Sequence, residues 1–413
     1  MVQTSILITL CRLIGLCNLR YVPERGRFER DNGPMLIYWV SLHLFYVLLM
    51  PCIIFVMVRS YFHCRQMDIL AEAYSVVCLA KSCLMMLLLS RTWLQRRRWQ
   101  RLGNGFLAFQ QLYRRDLMKF GYSYWLQNLW KTMLSLSNFM LLTHSLFGPG
   151  SLLMCGNIHD EVTEMSTSYI FLSLVILSME LIVSFADFWI YYMMDTSNWV
   201  LDCLSHEAQD LRQDMRWLPQ RRRGCHRVVY QQQLLAGWQR LWRRCMRLDR
   251  LILELLHICK WQILLNLFTN YLTDITIIFN LVIYSNGSYV LWSLIGYMIL
   301  CTLFHWEIMS YFSIFETNQL KWMHLLHCLQ KLWGTVSSMD IDWPEDTRCI
   351  VLYRQLEFAL IFLNRKLQRR PDRTRRLHIA GLFDMNRRSG YCVSTSIAIN
   401  VLILWQIAYK NYY

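Results

Sequence analysis

The sequence predicts an all-α polytopic membrane protein with seven transmembrane helices, a cytosolic N-terminus, an extracellular C-terminus and helical extensions into the cytosol. Three observations carry that reading. Of the 413 residues, 55% are hydrophobic and 14% aromatic, with only 7 prolines. Apolar runs long enough to cross hydrocarbon, about 20 residues as a helix, recur along the chain. Lysine and arginine are confined almost wholly to alternate connections between those runs. The net charge of +15 would suit a nucleic-acid binder if it formed a continuous surface stripe. Here it is cut into blocks by membrane-length runs, so no nucleic-acid partner is expected.

Residues 1–34 form a cytosolic N-terminal segment. Its start, "MVQTSILITLCRLIGLCNLR", has no basic residue before the apolar run, is interrupted by Arg12 and lacks a small-residue cleavage site. An interfacial amphipathic helix fits it better than a signal peptide. The spans follow at 35–58, 69–90, 122–147, 168–194, 255–284, 288–315 and 391–409. The connections 1–34, 91–121, 195–250 and 316–390 hold 37 Lys and Arg, against 3 in the alternate connections and the tail. By the positive-inside rule the N-terminus is cytosolic and the short tail extracellular. That orientation is the reverse of a G-protein-coupled receptor. Asn286 heads an Asn-Gly-Ser sequon in the outer connection between the fifth and sixth spans, a candidate for glycosylation.

Residues 35–315 thus hold the first six spans. Within them the 195–254 loop keeps apolar residues at three-and-four spacing with arginine on the other faces, so the fourth and fifth spans are expected to continue as helices, turning near Pro219. The 316–390 region repeats the pattern and reads as a cytosolic anchor packed between subunits. Basic helices lying on anionic membrane lipid are the competing reading.

Ionisable groups inside spans are costly, which makes them candidates for function. Lys81 is expected near mid-membrane, with Glu180, Asp274 or Glu307 as its partner. Such a pair either fixes helix packing or touches a ligand. Tyr74, Tyr271, Trp292 and Tyr297 lie in the outer halves of spans, where rings line either a small-molecule pocket or the interfacial aromatic belt. His324, His327 and Cys328 lack a third and fourth ligand at matching spacing, so a helix surface fits better than a metal site. The 15 cysteines form no disulfide framework. No Walker loop, GxSxG elbow or HExxH motif occurs, so neither an enzyme nor a cofactor is expected.

The last membrane-length run ends in a lone glutamine, Gln406. Residues 381–407 resemble the C-terminal signature of insect gustatory receptors, in which Gly-x-Phe precedes the last helix and Thr-Tyr, five apolar residues and Gln-Phe close it. Here Gly381 and Phe383 match. Ile399-Asn400 stand for Thr-Tyr, "VLILW" supplies the apolar five, and Gln406-Ile407 stand for Gln-Phe. The resemblance implies a plasma-membrane receptor of chemosensory neurons, assembled as a homo- or hetero-tetrameric cation channel gated by small external tastants. Departures from the signature and an aromatic pocket lean toward bitter or aversive compounds. Residues 391–413 would then supply the pore-lining helix and tail, with Gln406 facing the pore and Ile407 at its hydrophobic constriction. Asn400 would alter either pore hydration or packing against the fifth span. A seven-span receptor signalling through intracellular partners, and a non-channel transporter or scaffold, are the alternatives.

Overall fold

The structure is a computed structural model and describes residues 12–13, 15–16, 19–22, 24–30, 33–63, 69–113, 167–217, 225–284, 291–337, 354, 378–379 and 383–412. Seven α-helices and four short strands are described: β1 (Leu19–Val22), β2 (Arg27–Arg30), α1 (Pro34–His63), α2 (Ile69–Leu94), α3 (Arg96–Leu112), α4 (Thr167–Arg216), α5 (Cys225–Tyr284), α6 (Leu291–Ser337), β3 (His378–Ile379), β4 (Phe383–Asp384) and α7 (Arg387–Tyr412). Six of the seven expected spans fall on α1, α2, α4, α5, α6 and α7. The expected third span, with Lys131, lies outside the described residues, and α3 is an additional helix in the basic connection after α2. Windows in Pro34–Pro51, Gln232–Phe279 and Arg387–Ile407 are long and apolar enough to cross a membrane.

Helices α4, α5 and α6 contain 50, 60 and 47 residues. At about 1.5 Å per residue each exceeds twice the ~30 Å hydrocarbon core, so every apolar stretch runs on without a break into an amphipathic extension, strongly basic in α5. The larger core lies where these helices run together, around Leu204, Leu241, Leu248, Ile252, Phe315 and Leu325. A second core joins α1, α2 and α4 through Tyr46, Leu84, Met85 and Ile182.

The extensions are held in register by polar contacts. Tyr113 donates to Glu207 Oε2 at 2.9 Å, and Arg244 reaches both oxygens of the same carboxylate at 2.7 and 2.9 Å. Burial, reinforced by the neighbouring Glu207 charge, holds the Tyr113 phenol well above its ordinary range. Farther along α4, Lys321 of α6 pairs with Asp202, and Asn318 donates to Asn198 Oδ1 at 2.8 Å.

Besides the helices, the described residues carry two short antiparallel hairpins that the sequence reading did not include. In the first, Tyr21 opposes Phe28. This leaves the Phe28 backbone for a partner beyond the hairpin, and a side chain of α3 supplies one. Asn104 Oδ1 accepts from Phe28 N at 2.6 Å, while Asn104 Nδ2 donates to Phe28 O at 3.1 Å. The carboxamide thus imitates a neighbouring strand. The next residue, Gly105, lets α3 approach α5, since a Cβ there would lie 2.5 Å from Leu251 Cδ2.

The segment before the hairpin is fastened to α1. Trp39 Nε1 donates to Arg12 O at 2.7 Å and Tyr38 Oη to Leu13 O at 2.7 Å. His43 Nδ1 accepts from Trp93 Nε1 at 2.6 Å, so its Nε2 carries the proton and donates to Gly15 O at 2.9 Å.

Removing the strand mimic leaves the Phe28 amide without its acceptor, while Gln100 Nε2 still donates to Phe28 O at 3.0 Å. Asn104→Ala is expected to cost about 1–3 kcal/mol and to speed amide exchange at Phe28 selectively, as read by hydrogen-exchange mass spectrometry. Unchanged exchange at residues 27–29 would contradict this account of the hairpin.

Candidate functional site

The candidate site is the seam where α7 meets α5 and α6. It begins at the N-terminus of α7, where Asn386 Oδ1 accepts from the Ser389 amide at 2.8 Å, an N-cap. Glu316 of α6 accepts from the Arg387 amide at 3.2 Å and pairs with its guanidinium at 3.3 Å. The "DMNRR" stretch is therefore a helix start written for this contact.

Beyond the cap, α7 buries one narrow stripe containing Gly390, Ile397 and Val401, the three-and-four spacing of a single helix face. Gly390 sets the approach: a Cβ there would meet Met309 Sδ and the Phe312 ring at 3.1 Å. Two polar bridges lie along the seam. In the first, Tyr271 Oη and Ser396 Oγ are 2.9 Å apart, and Asn400 Nδ2 donates to Tyr271 Oη and to Ser396 O, both at 2.8 Å. In the second, Ser394 Oγ lies 3.1 Å from His305 Nε2, and His305 Nδ1 lies 3.2 Å from Asp274 Oδ2. Asp274 is fully buried and also receives Cys301 Sγ at 3.8 Å.

The rest of α7 is bare. Ile399, Leu402, Ile403, Gln406 and Ile407 are exposed in the single chain, and they recur at three-and-four spacing. A helix end that presents isoleucines and leucine together with one carboxamide suits an apolar surround on one side and a polar one on the other.

The sequence-predicted residues divide accordingly. Tyr271 and Asn400 come together, so Asn400 packs against the fifth span. Asp274 takes its partners from α6, His305 and Cys301, where Lys81 had been one expected partner. Lys81 is itself buried in α2. Tyr74, Glu180, Trp292 and Tyr297 occupy helices α2, α4 and α6, but their side chains lie outside the described residues, as do Gly381 and Asn286. Phe383 falls on β4, paired with Ile379. His324 Nε2 lies 3.6 Å from Cys328 Sγ within one turn of α6, and no group of three potential ligands suits a metal among the described residues.

Sequence reasoning missed His305, Ser394 and Ser396. The available signal was a histidine inside a span facing a helix with two serines two positions apart. The α5 face between Gln262 and Asp274 is also polar and buried: Gln262 reaches Asp187 at 3.5 Å, and Asn266 and Asn270 follow at one-turn spacing.

The sequence profile of the 7tm chemosensory receptor family matches residues 4–411. The chain belongs to that family. It is 37% identical over 411 residues to "Putative gustatory receptor 58c" of Drosophila melanogaster, covering 97% of this chain and 96% of that one. Its fold is similar to the insect olfactory receptor OR5 from Machilis hrabei, with a TM-score of 0.63 at 10% identity and 98% of each chain covered. The same receptor in complex with eugenol gives 0.64 at 10% identity, over 98% of this chain and 97% of that one. The family is one of membrane receptors, not of enzymes.

Two expectations follow for this chemosensory receptor. Tyr271→Phe and Asn400→Ala, combined in a double-mutant cycle of melting temperature, should show coupling of about 0.5–1.5 kcal/mol; additive effects would mean that the bridge does not form. On the extension of α4, burial raises the Asp195 carboxyl from 3.8 to about 7, opposed by Lys321 and reinforced by Asp202. Stability from this group is fully present below pH 3.8 and is lost as pH rises through about 7. Asp195→Asn should therefore out-melt the native chain above pH 7 and match it near pH 4.

Proposed function

We propose that this chain is a subunit of a gustatory receptor that conducts cations when a small external molecule binds. The exposed face of α7 carries the reading. A helix that buries one stripe against its own chain and leaves isoleucines and a glutamine uncovered is suited to meet identical helices around a shared axis. There Gln406 would meet water while Ile403 and Ile407 would narrow the path. A tetramer places four such helices about one pore and gives the long extensions of α4, α5 and α6 partners as an anchoring core.

The charge pattern supports a cytosolic N-terminus and an outer C-terminus. Tyr74, Lys81, Glu180, Tyr271, Asp274, Trp292 and Tyr297 fall on the helices that would enclose an outer pocket. The family match and the gustatory relative support an external tastant as the ligand, and the eugenol complex of the olfactory relative makes a small aromatic molecule a reasonable chemical class. A pocket lined by those rings would lean toward bitter or aversive compounds, and the plasma membrane of chemosensory neurons is the location that fits this reading. Homo- and hetero-tetramers with related chains both fit.

A test that needs no tastant is to make the constriction wettable. Ile407→Asn should raise resting cation current several-fold in cells with verified surface expression, because a polar ring no longer dewets. Resting current equal to that of the native chain would count against α7 as the pore helix.

A further inference from the structure

We propose that His305 is a proton-binding clasp: an imidazolium held by the buried Asp274 carboxylate that grips α7 through Ser394. Three helices meet at this residue, α6 supplying His305, α5 Asp274 and α7 Ser394. With Asp274 ionised, counting donors selects the protonation state of the ring. Asp274 has no exposed side-chain surface, and an ionised carboxylate so placed needs a charged or strong donor partner. His305 Nδ1 is within 3.2 Å of it. If Nδ1–H donates there and the ring is neutral, Nε2 is only an acceptor and requires the Ser394 hydroxyl hydrogen. That hydrogen is also directed at Gly390 O, 3.0 Å away on the same helix. A neutral ring beside an ionised Asp274 therefore leaves one of two contacts unmade. A charged ring makes them all, with Nδ1–H donating to Asp274, Nε2–H to Ser394 Oγ, and Ser394 Oγ–H to Gly390 O.

The surroundings leave the charge with His305. From α5 the facing ionisable group is Asp274, since Tyr271 is engaged with Ser396 and Asn400. From α6 there are Cys301, bonded to Asp274, and Glu307, buried two residues on. From α7, Arg387 is held by Glu316, while Arg388, Tyr391 and Cys392 are exposed. Lys81 of α2 is buried within the bundle. The imidazole is the partly exposed member of the group, its side chain being 39% exposed in the single chain.

Loss of the proton removes one bond from the second bridge and leaves α7 resting on the Tyr271 bridge, the Glu316–Arg387 contact and its apolar stripe. Alkaline conditions then loosen the last helix. That this changes conductance rests on the pore reading; the charge and the clasp do not.

The deciding experiment is a pH titration of histidine-labelled full-length chain in lipid nanodiscs by solid-state NMR, with the His305 signals assigned by difference from His305→Gln. Both ring nitrogens of His305 should be protonated at neutral pH and one should lose its proton on alkalinisation. Melting curves across the same range should show the gap between native chain and Ser394→Ala narrowing as pH rises, and the same gap measured in a His305→Gln background should not change with pH. A neutral His305 ring from pH 6 upward, or a gap that ignores pH, would overturn the proposal. Neither readout uses a current, so a silent channel leaves this proposal standing, and a neutral ring leaves the pore reading standing.

Discussion

The structure depends on one constraint: a polar group taken into the membrane must find its partner within the protein. Helices α4, α5 and α6 meet it collectively through long shared faces. The last helix meets it with one cap, one stripe and two hydrogen-bonded bridges. Asn400, Tyr271 and Ser396 satisfy one another, as do Ser394, His305 and Asp274. Carboxamide, hydroxyl and imidazole groups that would each be costly in hydrocarbon become the contacts that set how α7 lies.

The same economy leaves α7 with a bare face. A membrane helix packed on all sides by its own chain has nothing to offer a pore or a neighbour, whereas α7 keeps a row from Ile399 to Ile407 uncovered. The long extensions present the complementary picture. There the Tyr113, Glu207 and Arg244 cluster and the Lys321–Asp202 pair tie three long helices into one rod. A receptor built this way has a stiff body and a lightly attached last helix, an arrangement in which a modest change at the seam has a large mechanical consequence.

Much of this was legible in the sequence. The apolar runs and the basic blocks between them gave six of the described helices, and the three-and-four spacing after the fourth and fifth runs gave their continuation. The first hairpin was not legible, because "LRYVPERGRFER" is short and highly charged. What fixes it is a carboxamide at position 104, some 75 residues away. Asp274 was legible as a costly residue but its partner was not. Reasoning from formal charge pointed to Lys81, whereas helix packing delivered His305, a residue without a formal charge in the count. Asn400 was legible only as a departure from a signature, and the choice between pore hydration and packing required knowing where Tyr271 lies.

The most direct measurement of the central claim, that the bare face of α7 meets its counterparts in other copies, is oxidative cross-linking of Gln406→Cys in native membranes, compared with the parent chain under the same conditions. The account predicts a covalent dimer specific to the introduced cysteine, formed between subunits across a shared axis. Monomer alone, in chain shown to be at the cell surface, would contradict it and turn that face of α7 toward lipid.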